Sequence, residues 1–529
     1  MKLSKARYEF LSTYAMGALA SLAFCAVAYF IWFASDAYYS ADCADTFYWA
    51  IASIDSGKIF NPDFYYGGVY PFGGSLFFFP AYWIFVVSMA CAKFGMFLFL
   101  IFFTAALIFF AKSLGFNWKW TFASCFVILA ALSCSIKLRE IYFLHIIYYS
   151  LGNFQYLVGA ALIFQYLKHR KEKRSTLFLV LAVLWLFLCS TNNLEGIVLL
   201  SLPLLLSLGF LVITEQKKVQ LAGFIHTPLF FLCLLVLAAG SGYFFGRLLT
   251  KDVACGYAGA YSGFSDAEYW PDAFAGAPFQ FVYLFCERNI GSVQFQTLDG
   301  IIFILQIAFS VALLIVPIVA TFYCKQYKTT AERFVLVSHW ATTFFILFAY
   351  VFGRLDSANW RLSPLIMTSL LVSIIFVRHL WAQKGVAKRF AVLLLTGCFV
   401  FAGVNSTRVL SMNPHEQQYE NLQGLASYLE KSDIEYAYAT FWNSLPITFM
   451  TNGKVQVANI EIRDNGVIHA HEYQSFASWY SGHEGHVCAL LLTQSEYATL
   501  SAYEQANIES VEPWNQFLIC RLRWDIFPR

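Results

Sequence analysis

Eleven apolar runs, each 15 to 25 residues long, divide this chain: Leu11 to Phe33, Gly95 to Ala111, Trp118 to Cys134, Leu151 to Leu167, Thr176 to Ser190, Gly196 to Ile213, Leu221 to Phe245, Ile301 to Tyr323, Phe334 to Phe352, Leu362 to Trp381 and Phe390 to Val404. A run of about 20 apolar residues matches the roughly 30 Å hydrocarbon layer of a bilayer, where each backbone amide must be paired within its own helix. The expectation is an α-helical polytopic membrane bundle of about eleven spans. A twelfth run, Gly74 to Cys91, is interrupted by Pro80 and follows a Gly/Pro-rich stretch, which predicts an interfacial segment. Composition agrees: 59% of the 529 residues are hydrophobic and 13% charged, where soluble domains carry about 25% charge.

Cations orient the bundle, because Lys and Arg in short flanking loops stay cytoplasmic. With the N-terminus inside, short cytoplasmic segments hold 19 of the 35 Lys and Arg: Lys2, Lys5, Arg7; Lys112, Lys119; Lys168, Arg170, Lys171, Lys173, Arg174; Lys217, Lys218; Lys325, Lys328, Arg333; Arg378, Lys384, Lys388 and Arg389. The other 16 are spread over much longer external segments. An odd span count then puts the tail outside, and a bacterial plasma membrane is the expected location. The 23-residue first run favours a retained anchor over a cleaved signal. A net charge of +3, located at helix ends, excludes nucleic acid as the partner.

Three external segments are long enough to build a site: Ala34 to Gly73, Arg247 to Gly300 with Asp266, Glu268, Asp272, Glu287 and Arg288, and the tail Asn405 to Arg529. The chain therefore divides into a transmembrane domain, 1–404 with its external loop 34–94, and an extracytoplasmic domain, 405–529. In the tail, Glu416 to Glu430 and Gln494 to Gln505 carry helical patterns. Tyr436 to Phe441, Val455 to Ile460, Val487 to Leu492 and Phe517 to Arg523 carry strand patterns, together predicting a small α/β domain. Trp442, Trp479, Tyr480 and Trp514 either stack on sugar rings or fill its core. The 13 cysteines show no CxxC pair and no zinc-type Cys/His spacing, so no metal ligands are assigned, though a divalent cation stays open. Cys255 with Cys286, or Cys488 with Cys520, are either disulfides or buried thiols. No internal repeat, Walker A loop or GxGxxG sequence is present, and no cofactor is called for.

The sharpest cluster follows the first span: Asp36, Asp42 and Asp45, then Thr46-Phe47-Tyr48-Trp49-Ala50. Asp42 and Asp45 stand i, i+3 and share a face on the helix they introduce. A carboxylate there serves either as a general base for an attacking hydroxyl or as a helix cap.

The order of an external Asp before an aromatic/Ala helix, a Ser56-Gly57-Lys58 turn, Tyr65-Tyr66 and a Pro71-x-Gly73-Gly74 element resembles the first loop of GT-C glycosyltransferases. These include protein O-mannosyltransferases and bacterial aminoarabinose transferases, which move a sugar from a polyprenyl-phosphate donor. The family's acidic pair begins about seven residues before the aromatic/Ala step. Asp42 holds that first position and Cys43 the second. The resemblance implies Asp42 as base, with Asp45 as the second candidate, and Arg361, just before Ser363-Pro364, as a phosphate ligand. Snorkelling to the interface is the other reading of Arg361.

Lys137, Arg139 and His145, between the third and fourth spans, are candidates for the donor phosphate or sugar, with an Arg139/Glu140 pair as an alternative. Asn193 and Glu195, in the turn between the fifth and sixth spans beside Asn192, either line a sugar pocket or cap the turn. The expected function is transfer of a sugar from a polyprenyl-phosphate-linked donor, at the bilayer, to an extracytoplasmic glycan, lipid or protein, with inversion. The alternatives are a transporter or flippase of lipid-linked saccharides, which commonly shows paired inverted repeats, and a polysaccharide polymerase.

Overall fold

The computed structural model describes residues 5–215, 227–255, 263–286, 293–294, 296–327, 329–356, 358–414 and 417–527. Lys2, Lys217, Lys218, Glu287, Arg288 and Lys328 lie outside them, as does the start of the seventh run.

In chain order the helices are α1 Lys5–Tyr29, α2 Ala41–Ser56, α3 Phe79–Phe85, α4 Met89–Ser113, α5 Trp118–Leu132, α6 Ile136–Phe143, α7 Tyr148–His169, α8 Ser175–Ser190, α9 Asn193–Gly196, α10 Leu202–Glu215, α11 Pro228–Leu249, α12 Trp270–Cys286, α13 Leu298–Phe322, α14 Thr330–Val351, α15 Ser363–Trp381 and α16 Val386–Leu410. Each of the eleven apolar runs meets one of these helices. Among the described residues, eight helical stretches are long and apolar enough to cross a bilayer, or nine if α5 and α6 form one broken span. The three runs outside the eight each have a local reason. α5 has 15 residues and turns by 113° into α6; α8 has 16; α7 has 22 but carries Asn153, Gln155 and Gln165.

The α5–α6 bend interrupts the helical ladder, and side chains from distant helices take up the freed groups. Gln306 Nε2 donates to the Cys134 carbonyl at 3.1 Å, and Ser135 Oγ accepts from Leu138 N at 3.1 Å. Ser135 Oγ also donates to the Leu284 carbonyl of α12 at 2.6 Å. Backbone broken at this depth is tolerated where protein re-pairs it. The interrupted run behaves as its Pro80 suggests: α3 has seven residues, Val86 turns to φ 53°, and Ser88 caps α4. Trp83, Ile84 and Val86 stay exposed.

Loops of alternate helices gather at opposite ends. At one end, Arg378 reaches Glu332 Oε1 and the Gly115 carbonyl, both at 3.4 Å, and lies over the Phe116 ring. At the other, Asn192 exchanges two 2.9 Å hydrogen bonds with the backbone of Phe72, and Tyr66 N donates to the Ala254 carbonyl at 3.0 Å. The loop after α4, the start of α14 and the end of α15, which the cation count assigns to one side, thus meet at one end of the bundle.

The tail adds α17 Gln417–Lys431, α18 Phe441–Met450, α19 Gln494–Thr499 and α20 Ala502–Ala506 to a six-stranded sheet. The strands are β1 Phe64–Tyr65, which belongs to the first loop, β2 Tyr436–Thr440, β3 Gln456–Ile462, β4 Ile468–Ala470, β5 Ser475–Phe476, β6 Cys488–Thr493, β7 Ile508–Trp514 and β8 Phe517–Leu522. The large sheet runs β4-β3-β2-β6-β8-β7, with β2 parallel to β3 and β6 and the other pairs antiparallel. Both faces are buried. Ala437, Ala439, Ala489 and Leu491 pack with Leu425 and Leu429 of α17, while Tyr438, Leu490 and Leu492 join the main core. Two buried faces account for the continuous apolar stretch of β6.

The single helix expected over Gln494 to Gln505 is two. Buried Leu500 turns extended, and Ser501 caps α20 by accepting from Glu504 N. Helices α12 and α18, each with an internal proline, have no counterpart in the sequence reading. Neither cysteine pair is bridged; Cys520 lies opposite Leu490 rather than Cys488 across the β6–β8 pair.

Candidate active site

The first loop is clamped between the bundle and the tail domain. β1 pairs antiparallel with β5, Phe64 opposite Phe476. Trp49 Nε1 donates to Gln474 Oε1 at 2.8 Å, and the Gln474 amide donates to the Tyr65 carbonyl at 2.7 Å. The rings of Phe47 and Tyr48 lie 4.6 and 4.9 Å from Phe449 of α18. These aromatic contacts exclude water from one side of α2. On the other side, Gly74 abuts the backbone of Ile146, where an added Cβ would sit 2.0 Å from the carbonyl oxygen. Only glycine fits this approach, which seats the Pro71-x-Gly73-Gly74 element against the turn carrying His145.

Asp42 stands in the first turn of α2, partly buried, within electrostatic reach of Glu140 and Lys137 on α6. Burial first, and the Glu140 charge second, push its carboxyl up to about 6, with Lys137 pulling the other way. Asp45, one turn deeper, is buried with Oδ1 lacking a hydrogen-bond partner, and burial together with Asp42 holds its carboxyl well above the usual range. The two carboxyls therefore differ in setting: Asp42, at about 6, ionises near pH 7, while deeper burial and the Asp42 charge disfavour ionisation of Asp45. Asp36 is paired with Lys93 at 2.7 Å and supports the loop.

Lys137 Nζ lies 2.5 Å from Glu140 Oε2, one helical turn on, and 4.5 Å from the centre of the Trp360 ring. Glu140 thus pairs with Lys137, not with Arg139. The i, i+3 positions share a helix face and adjacent ones do not. Arg139 is buried on the opposite side, donating to the Ser133 carbonyl at 3.0 Å and lying over Phe30 and Tyr38. Arg139 and Lys137 thus point to different sides of α6, and the Arg139 guanidinium lies against the α5–α6 bend.

Arg361 follows Trp360, whose ring lies under Lys137, in the short turn Asn359–Leu362. It is buried, donates to the Arg354 carbonyl at 2.9 Å and hydrogen-bonds Tyr149, whose hydroxyl meets Tyr148. A snorkelling arginine would instead be exposed at the interface. A small pocket beside Tyr149 is lined also by Gly152, Asn153, Leu199, Thr342 and Pro364. His145 is fully enclosed near Lys137, and among the described residues neither ring nitrogen has a hydrogen-bond partner. Burial and the Lys137 charge lower it to about 3, so the ring is neutral.

Asn193, at φ 57°, gives its amide to the Val69 carbonyl at 3.1 Å, while Glu195 is exposed and close to Tyr70. In the tail, Trp479 is buried against Tyr48, Tyr480 donates to the Asn459 carbonyl, and Trp514 packs on Tyr428. Only Trp442 of the four tail aromatics presents a broadly exposed ring.

No protein-family model and no curated protein matches the sequence. Solved structures do. ArnT from Cupriavidus metallidurans bound to undecaprenyl phosphate superposes with a TM-score of 0.53 at 12% identity, over 94% of this chain and 97% of that one. The same protein in the apo state gives 0.53 at 11%, with the same coverage. The chain has the GT-C fold.

Within this GT-C bundle the carboxylates come from the first loop, the lysine from the α5–α6 bend and the arginine from the turn before α15. Sequence reasoning passed over Trp360, which links Lys137 to Arg361, and Gln474, which fixes Trp49. Trp360 had a signal, its place beside Arg361. Gln474 had none, being 425 positions from its partner.

Proposed function

We propose that this chain is a membrane glycosyltransferase that moves a sugar from a polyprenyl-phosphate donor to an extracytoplasmic glycan, lipid or protein. One observation carries the reading: a carboxylate raised to about 6 stands within electrostatic reach of Lys137, whose ammonium lies over the ring of Trp360, the residue before Arg361, in a fold shared with a protein solved with undecaprenyl phosphate. Asp42 takes the proton of the acceptor hydroxyl as its oxygen attacks the anomeric carbon. The carbon–oxygen bond to the phosphate breaks on the opposite side, and one displacement inverts the centre. Lys137 and Arg361 receive the negative charge gathering on the leaving phosphate, and preorganised cations do this without reorganisation at the moment of reaction. His145, neutral and unpartnered, accepts or donates a hydrogen bond to the sugar, and Glu195 contacts a hydroxyl at the rim. Asn193 serves by holding the loop at Val69.

In this reading the end bearing the site and the 405–529 domain is extracytoplasmic, and the basic end is cytoplasmic. That domain closes the site through Gln474 and Phe449 on α2, apart from the 1–404 bundle that carries the reacting groups. The test is transfer of label from a polyprenyl-phosphate sugar in membranes containing the chain. A product that needs Asp42 supports the reading; lipid-linked sugar that only crosses the bilayer, with no glycosidic product, supports a flippase.

A further inference from the structure

Outside this site, the tail domain brings together three metal-ligating side chains from distant positions. His483 lies in the loop before β6, Cys488 opens β6, and Asp525 follows β8. Their ligand atoms lie within 4.8 Å of one another. All three side chains are buried. We propose that His483, Cys488 and Asp525 bind one Zn²⁺, with water as the fourth ligand.

No direct hydrogen bond joins the three side chains; the Tyr438 hydroxyl lies between His483 Nδ1, at 3.0 Å, and Asp525 Oδ1, and an ion bound at Nδ1 would take its place there. His483 Nδ1 stands 3.6 Å from Asp525 Oδ2, too long for a hydrogen bond. It is close to the edge of about 3.3 Å that separates N and O ligands at tetrahedral bonds of about 2.05 Å. The Cys488 thiol has only a weak contact, 3.8 Å to the His486 carbonyl. The surroundings supply what metal ligands use as outer support. Tyr438 OH hydrogen-bonds Asp525 Oδ1, and the imidazole stacks on Tyr436 at 3.9 Å. A recess lined by Asp433, His483, His486, Arg521, Trp524 and Asp525 opens beside the cluster and gives an ion its entry and the water its place. Arg521 does not repel a cation there as a lone charge would, because Asp433 pairs it at 2.7 Å.

A mixed thiolate, imidazole and carboxylate set suits Zn²⁺ over the hard cations, which take oxygen ligands. Binding releases the thiol proton, because the ligand is the thiolate. The ion would tie the 481–487 loop and the chain end to the sheet, where Phe527 already packs on Tyr438 and Tyr480.

The test uses the full chain in detergent, stripped by a chelator and titrated with Zn²⁺ against a competing indicator, and separately with Co²⁺ as a spectroscopic stand-in. One equivalent should bind, and Co²⁺ should give tetrahedral and thiolate charge-transfer bands. Cys488→Ser and His483→Gln should abolish those bands or weaken Zn²⁺ by more than the 10–100-fold that loss of an outer partner costs. Asp525→Asn, which keeps a hydrogen-bonding oxygen for Tyr438, should weaken it likewise, and Cys43→Ser should change nothing. Absence of thiolate bands in the unaltered chain, or bands and affinity unchanged in Cys488→Ser, would overturn the site.

Discussion

Replacing Glu140 with Gln should move the acid limb of the transfer reaction to lower pH. Asp42 must be ionised to accept a proton, and its carboxyl stands at about 6 against an ordinary 3.8. Burial is the largest cause, repulsion from Glu140 the next, and Lys137 opposes both. Near pH 5 about a tenth of Asp42 is then ionised, and near pH 7.5 nearly all of it. Glu140→Gln removes the repulsion and frees Lys137 from its 2.5 Å partner. Both changes favour the carboxylate. A fall of about one unit, modest for loss of a nearby like charge, would make about half of Asp42 ionised near pH 5. There kcat/KM rises roughly fivefold relative to its plateau. The assay is kcat/KM from about pH 4.5 to 8.5 with a labelled polyprenyl-phosphate sugar, since this parameter reports groups of the free enzyme. Lys137→Met is the counter-test: the plateau falls with loss of a phosphate ligand, and the limb moves up. A limb that stays in place in both variants, or moves up in Glu140→Gln, would refute Asp42 as the ionising base.

Asp42→Asn should lower transfer by at least about 10², the lower range of general-base catalysis, whereas Asp45→Asn, replacing a carboxyl whose ionisation burial disfavours, should retain most activity; the reverse ranking in one membrane assay would move the base to Asp45. Because the folded pKa of Asp42 is raised, its stabilising contribution is complete below about pH 3.8 and lost as pH rises through about 6, so Asp42→Asn should melt no lower than the parent at pH 7.5 in a thermal-unfolding assay. Arg361→Met should cut kcat/KM by about 10²–10³, while Arg139→Met should lower thermal stability, by loss of its Ser133 and Phe30 contacts, more than it changes the kinetics of the folded fraction; equal kinetic loss in both would restore Arg139 to the site. Gly74→Ala should impair both folding yield and transfer, because its Cβ would meet the Ile146 carbonyl at 2.0 Å; wild-type behaviour in both would show that the turn yields. Protease added to spheroplasts should remove the tail after Leu410, and protection of that tail until the membrane is opened would invert the proposed orientation.

The sequence by itself determined the membrane helices. Each of the eleven runs meets a helix because a helix pairs its own backbone, and a bilayer selects for length and apolarity within one local window. The polar first loop and four tail strands, β2, β3, β6 and β8, were legible for the same reason, since their periods lie within a few residues, whereas β4, β5 and β7 were not read. What the sequence could not carry was every relation decided by a contact between distant segments. The α5–α6 bend depends on Gln306 and Leu284, about 150 to 170 residues away, so its run resembled an ordinary span. Lys137 rather than Arg139 faces Asp42 because the bend starts a new helix at Ile136 and sets which side of it turns inward. The tuning of Asp42 needs its burial beneath an aromatic cover supplied by the tail, and the His483, Cys488 and Asp525 cluster exists only once β6 and the chain end lie side by side. Local pairing rules act within a helix or strand, whereas desolvation, charge pairing and metal geometry act across space, and tertiary structure alone decides which residues share that space.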